Sequence, residues 1–394
     1  MSTTTIIGRD PGSSHTLSVK IDAGVITLIE PTDSDTDLYL SPGFVDLQVN
    51  GFAGFDMNAE HTSTDTVVGL VDALLTQGVT CFLPTIITAP EIQICEKLRV
   101  IAEARRIHPR AAACIPFVHL EGPNISPLDG YRGAHPLNAV RPPSIEEFDR
   151  WQEASGGIVG MVTLSPHYSD SPTYIAALVT RGVHVALGHT HASFQQIAQA
   201  VNAGASLSTH LGNGIAQEIP RHANPIWSQL ADDRLSASFI ADGHHLPHDI
   251  LKVMLRAKGI DRSILVSDSV ALAGMTPGTY TTVVGGQVEL HPDGRLCMVG
   301  SDLLAGSTAS LAQCVGNLVG MTKTPLSDAL AMATVNPGRY AGGRGRLAIG
   351  SRADLVRFRC NKGLQIEDVW LAGEQVYPHG YGVSRKGIER SRNC

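Results

Sequence analysis

The stretch HVALGHTHASFQQIAQAVNAGASLSTH (184–210) decides the fold. It opens on a short apolar run, His184–His189, and closes on a second one, Ala205–His210. Between them lies a helical pattern, Ser193–Ala203, with Ser193 as a start signal and Gly204 as a stop. The runs are nearly continuous in apolar character rather than alternating. That is the mark of strands covered on both faces, as in a parallel sheet. Each run also ends in a histidine, so this one βαβ unit brings two imidazoles to the ends of adjacent strands.

Working outward, the same unit recurs. Eight runs span residues 44 to 268: Phe44–Val49, Val79–Pro84, Cys114–Glu121, Val159–Thr163, His184–His189, Ala205–His210, Leu235–Asp242 and Ile264–Asp268. Helical patterns separate them at Thr64–Gln77, Pro90–Ile107, Ser144–Ala154, Ser193–Ala203 and Pro247–Ala257. Eight such βα units predict a TIM-type (β/α)8 barrel over residues 44–344. The chain ends differ. Thr16–Ile21, Val25–Ile29, Asp354–Arg359 and Val369–Leu371 read as short strands. Neither end holds enough apolar residues for a core of its own. A small β-sandwich built from both termini, 1–43 plus 345–394, is therefore expected. A third β segment, Tyr280–Met298, carries hairpin signals at Gly285-Gly286 and Asp293-Gly294.

Composition excludes several classes. Of 394 residues, 43% are hydrophobic and 17% charged, which suits a large core and not a disordered chain. The net charge is −7 with histidine neutral, against a nucleic-acid partner. No stretch approaches 18 consecutive apolar residues, so no membrane span is expected. No secretory signal is visible at Met1–Asp10. The seven cysteines are scattered and form no CxxC pair, and Cys81 and Cys114 read as small core residues in strand-like runs. A reducing cytoplasm is the expected setting.

The chemistry sits at the run ends. Glu121, His189 and His210 close the third, fifth and sixth runs, Asp242–His245 follow the seventh, and Asp268 closes the eighth. In a barrel the C-terminal strand ends converge on one face, where active sites are built. One carboxylate and two imidazoles are a common catalytic zinc set with one position left open. Asp268 would take a proton from an attacking water. A single histidine at a strand end is more often structural, and Asp268 alone could be a helix N-cap. The joint pattern carries the reading. His191 competes with His189, and His244 with His245. His119 is expected to alternate away from Glu121, buried or in a supporting position.

These residues carry a resemblance. The ordered segments PGFVDLQVNGFAGFD (42–56), GVTCFLPTIIT (78–88), HLEGPNIS (119–126), GHTHAS (188–193), THLGNG (209–214), ADGHH (241–245) and LVSDS (265–269) resemble the amidohydrolase superfamily. Within it they are similar to the N-acetylglucosamine-6-phosphate deacetylase family. The resemblance implies a metal-dependent hydrolase barrel with Glu121, His189 and His210 as metal ligands. It implies Asp268 as general base and then acid, with His245 assisting at the carbonyl oxygen. Substrate contacts fall on His135, Asn213, Gly214, Arg221 and His245. Other amidohydrolases carry an HxH pair where this chain reads Gln48-Val49-Asn50, so one divalent metal, zinc, is expected rather than two. The arginine that matches Arg221 reaches in from a partner subunit, which implies a homodimer.

Departures from the family pattern cluster at the substrate cup. Asn213-Gly214-Ile215 stands for the usual NAM, His222-Ala223-Asn224 follows Arg221, Asn124 replaces an aromatic, and His167 replaces a glutamate. Three readings follow. The first is hydrolysis of the acetamide of N-acetylglucosamine-6-phosphate. The second is deacylation of a related N-acyl amino sugar, with or without a phosphate, or of another small N-acyl compound. The third is a non-catalytic binding barrel, which retention of both the metal set and Asp268 speaks against.

Overall fold

The computed structural model describes residues 3–282, 286–361 and 363–378. Gly285 of the expected hairpin signal and residues 379–394 of the expected small domain lie outside them.

Eight parallel strands form the central sheet: β1 (Phe44–Val49), β2 (Val79–Ile87), β3 (Val118–Glu121), β4 (Val159–Leu164), β5 (His184–Leu187), β6 (Leu207–Ser208), β7 (Ser236–Ile240) and β8 (Ser263–Val266). Each strand pairs with the next in chain order. The seam between β8 and β1 is drawn together just past the strands. Asp268 N–H donates to the Gln48 carbonyl at 3.0 Å and Asn50 N–H to the Ser269 carbonyl at 2.9 Å. The Asp46 carboxylate accepts the Ser267 N–H at 3.2 Å across the same seam.

Burial on both strand faces explains the continuous apolar runs. Inward residues Val45, Leu47, Cys81, Leu83, Met161 and Ile264 pack into a barrel plug. Outward residues such as Phe44, Phe82, Leu120 and Leu164 pack under the surrounding helices. Ser193 caps its helix, Phe194–Asn202, by a reciprocal capping box with Gln196, an arrangement worth about 1 kcal/mol.

The terminal strands form one seven-stranded sheet. Four come from the N-terminus (Thr4–Arg9, Thr16–Asp22, Val25–Pro31, Tyr39–Pro42) and three from the C-terminus (Leu355–Cys360, Leu364–Leu371, Glu374–Tyr377). Tyr39–Pro42 joins the two halves by antiparallel pairing with Leu355–Cys360. The sheet folds back on itself, because Ile26 N–H reaches the Ser351 carbonyl at 2.9 Å. Its core mixes Ile6, Val19, Ile21, Ile26 and Leu40 with Ala353, Leu355 and Trp370. A separate three-stranded antiparallel sheet (Gly278–Thr282, Gly286–Leu290, Leu296–Met298) covers the expected third β segment.

One expectation is corrected. Cys114 does not open a strand: it ends a short helix, Pro109–Cys114, and β3 begins at Val118. Proline at the first helical position favours that helix. Both Cys81 and Cys114 are nonetheless fully buried free thiols.

Candidate metal centre

The residues that leave the strands carry unusual backbone. His189, His210 and Asp268 have φ of 48°, 27° and 47°. Non-glycine residues in this left-handed region cost about 1–3 kcal/mol each and persist where surrounding bonds hold them. Here the His189 carbonyl accepts the Ser126 N–H at 2.9 Å. His210 N–H donates to Ser238 Oγ at 2.7 Å, and Asp268 N–H is tied to Gln48 as above. The bends turn three side chains, from the ends of β5, β6 and β8, into one cup.

Within it, one ligand atom each of Glu121, His189 and His210 lies within 4.8 Å of the others. The Nε2 atoms of His210 and His189 approach Glu121 Oε1 at 2.8 and 3.2 Å. His189 donates Nδ1–H to the Tyr131 carbonyl at 2.9 Å, which leaves its Nε2 lone pair for the cup. His210 Nδ1 is buried and has no hydrogen-bond partner among the described residues. Two imidazole nitrogens and a carboxylate, all buried, fit a divalent cation of the zinc type. Burial alone would raise Glu121, but the hydrogen bonds and charges of the two imidazoles hold its pKa well below the ordinary carboxylate range. His191 and His244 turn elsewhere. His191 Nδ1 pairs with Ser126 Oγ at 2.7 Å, and His244 Nε2 lies 3.2 Å from the Asp293 carbonyl.

Asp268 is partly buried beside this group. Burial, then the negative charge of Glu121, pushes its pKa up to about 8. Asn50 donates Nδ2–H to Asp268 Oδ1 at 2.8 Å, and Gln48 donates Nε2–H to Glu121 Oε1 at 2.9 Å. Asn50 is itself held by Asn58 at 3.3 Å. So the two side chains standing at the HxH positions act as amide donors, one to each carboxylate. A period-two reading of β1 and the residue beyond it, Asp46-x-Gln48-x-Asn50, is the signal that marks them.

The cup opens into a cavity of about 420 Å³. His135, Asn213, Gly214 and His245 line it together with the cluster. His135 packs edge-on against His189 with ring centroids 4.4 Å apart, and its Nδ1 sits 2.9 Å from Thr88 Oγ1. Burial, reinforced by His189, lowers the His135 pKa to about 3, so its ring is neutral. Gly214 lies flat on His189: an added Cβ would come within 2.7 Å of Nδ1, and its φ is 58°. Arg221 is exposed and does not line the cavity of its own chain. Among the described residues the cavity lining holds no lysine or arginine.

The expectation for His119 is half right. It is buried, but residues two apart on a strand share a face, so it does not point away from Glu121. It donates Nδ1–H to the Leu47 carbonyl at 3.0 Å and accepts from Thr163 Oγ1 at 2.8 Å. Thr209 Oγ1 continues the chain at 2.7 Å, under His210. Burial lowers the His119 pKa to about 4, consistent with this neutral, bridging ring.

Sequence comparison agrees with this geometry. The model of the amidohydrolase family matches residues 39–376. The chain belongs to the amidohydrolase family. This amidohydrolase is 33% identical over 365 residues to N-acetylgalactosamine-6-phosphate deacetylase of Escherichia coli O157:H7, covering 90% of this chain and 93% of that one. It is 34% identical over 355 residues to N-acetylglucosamine-6-phosphate deacetylase of Bos taurus, covering 86% and 83%. A mutant N-acetyl-D-glucosamine-6-phosphate deacetylase from Mycobacterium smegmatis, solved in complex with N-acetyl-D-glucosamine-6-phosphate, superposes with a TM-score of 0.85 at 29% identity. That match covers 95% of the amidohydrolase and all of the other chain. Among its described residues, no helix is long and apolar enough to cross a membrane.

Proposed function

We propose that this amidohydrolase hydrolyses the acetamide of N-acetylglucosamine-6-phosphate, releasing glucosamine-6-phosphate and acetate. The observation that carries the reading is the meeting of Glu121, His189, His210 and Asp268 at one cavity, in a chain whose relatives are hexosamine-6-phosphate deacetylases. Glu121, His189 and His210 would hold one divalent metal, zinc. When bound there, the metal supplies Lewis-acid polarisation and an acidified water, and offsets the Glu121 charge that raises Asp268.

The chain's own groups do the rest. Asp268, with Oδ1 held by Asn50, keeps Oδ2 free to take the proton of the attacking water. It then passes that proton to the departing nitrogen, because an amide anion is too basic to leave. His245 acts at the carbonyl oxygen. His135, Asn213 and the Gly214 backbone contact the sugar. Residues 44–344 form the catalytic unit, and the described parts of 1–43 and 345–394 the small β unit. The setting is the cytoplasm.

The absence of a lysine or arginine from the described cavity lining bears on the phosphate. It supports an Arg221 supplied by the partner of a homodimer. It equally favours the second reading in its unphosphorylated form. Assays of released amine on paired N-acetylglucosamine and N-acetylgalactosamine, each with and without the 6-phosphate, separate these. Arg221→Ala is expected to raise KM for the phosphorylated sugar roughly 10- to 100-fold, the loss of a charge-assisted contact of about 1.5–3 kcal/mol. Wild-type KM in that variant, or full activity in a strictly monomeric enzyme, overturns the arginine's role.

Metal analysis of the purified protein is expected to give close to one equivalent per chain. Two tightly bound equivalents would mean that Gln48 and Asn50 do not close the second position.

A further inference from the structure

Asp242 follows β7 and takes no part in the chemistry assigned above. Its carboxylate is nearly fully buried and receives three N–H groups. Oδ1 accepts the backbone N–H of His244 and of His245, both at 2.9 Å. Oδ2 lies 2.6 Å from His245 Nδ1. Burial would raise this acid, but the bond and charge of His245 outweigh it and hold the pKa at about 2. Asp242 is therefore a pure acceptor, and the proton between the two groups belongs to Nδ1. His245 also lines the cavity, so Nε2 is the ring nitrogen left for a ligand.

We propose that Asp242 is a positioning residue that locks His245 in the Nδ1–H form and aims Nε2 at the substrate. The inference rests on the deacetylase reading for its kinetic part only. Locked in this way, Nε2 can take up a proton and donate it to the carbonyl oxygen, with the carboxylate of Asp242 balancing the charge of the ring. The opposite tautomer, with no carboxylate behind it, offers only the weaker N–H of a neutral ring.

The geometry selects the test. In Asp242→Asn the single remaining oxygen is already committed to two backbone N–H groups. The amide NH2 then faces His245 Nδ1, and two donors cannot share that contact. The ring proton is driven to Nε2 while the turn keeps its backbone bonds. The same substitution of a carboxylate behind a catalytic histidine gives the wrong tautomer in serine proteases.

The experiment is nitrogen-15 NMR of histidine-labelled protein, with the His245 signals assigned by their loss in His245→Gln. The wild type should show the proton on Nδ1, and Asp242→Asn should show it on Nε2. Turnover of N-acetylglucosamine-6-phosphate in Asp242→Asn should fall about 10²- to 10⁴-fold in kcat, the range of general acid–base assistance, with a much smaller change in KM. A neutral wild-type ring protonated only on Nε2 overturns the proposal without any variant. So does a flipped ring with unaltered kcat, or an unflipped ring in Asp242→Asn. If the wild type releases amine from none of the N-acetyl sugars, the substrate reading fails, and the ring measurement alone decides the role of Asp242.

Discussion

Asp268→Asn is expected to keep its bound metal and to lose about 10²- to 10⁴-fold in kcat, the range that a positioned proton acceptor contributes. The structure makes this substitution informative because little else changes. Asparagine has the shape of aspartate, and its side-chain oxygen can still accept the Asn50 Nδ2–H now made at 2.8 Å. The backbone at this position sits at φ 47°, which asparagine tolerates better than most residues. Its N–H bond to the Gln48 carbonyl, which closes the barrel seam, is unaffected. Glu121, His189 and His210 remain in place to hold the metal. Asp268→Ala would be a poorer choice, since it strands the Asn50 amide and places alanine in strained backbone. The measurement is metal content by elemental analysis beside turnover by amine release. Near-normal turnover with metal present would remove Asp268 as the base. Loss of metal along with turnover would place it among the ligands.

The strands were legible because both of their faces are buried. β4 and β8 have no exposed residue, so their runs are nearly continuous and stop where a polar group enters the cup, whereas β1, equally buried, has its run interrupted by Asp46 and Gln48. That is why Glu121, His189, His210 and Asp268 could be picked out at run ends. Strands covered on one side only are less visible. Thr4–Arg9 and Tyr39–Pro42 have two buried residues apiece, and neither stood out as a run. The Cys114 run misled because a helix end and a strand start share one apolar stretch across Ile115. Partner assignments were the least legible. Asn50 and Asp268 are 218 residues apart, and Gln48 and Glu121 are 73 apart. Nothing local distinguishes an amide aimed at a carboxylate from one in water. Asp242 is an exception in part: its donors lie two and three residues downstream, as its short polar side chain allows.

Lys258→Met should cost about 3–5 kcal/mol of folding stability, the scale of removing one partner from a buried ionic contact. In sequence Lys258 is an ordinary basic residue closing the last turn of the helix His248–Lys258. In the fold it is completely buried. Its Nζ donates to the carbonyls of Gln229, Asp232 and Leu235 at 2.7, 3.0 and 3.0 Å. Burial, with Arg262 nearby, lowers its pKa to about 8, so it remains an ammonium at neutral pH. The three carbonyls lie at the end of the helix Pro225–Ala231 and in the turn entering β7. Helix ends leave carbonyls without intrahelical partners, and a cation there also suits the helix dipole. Methionine keeps the length and apolar stem but donates nothing. Each abandoned buried carbonyl costs about 1–3 kcal/mol. Part of that is offset because an ammonium no longer has to leave water. Chemical denaturation reads the difference, as a lower midpoint at unchanged slope. Stability within about 0.5 kcal/mol of wild type, the range of an ordinary surface substitution, would show that the carbonyls find water instead. The same turn leads through β7 to Asp242 and His245. A destabilised but folded Lys258→Met should therefore lose order there before it loses order at Glu121, which hydrogen exchange of the two segments can compare.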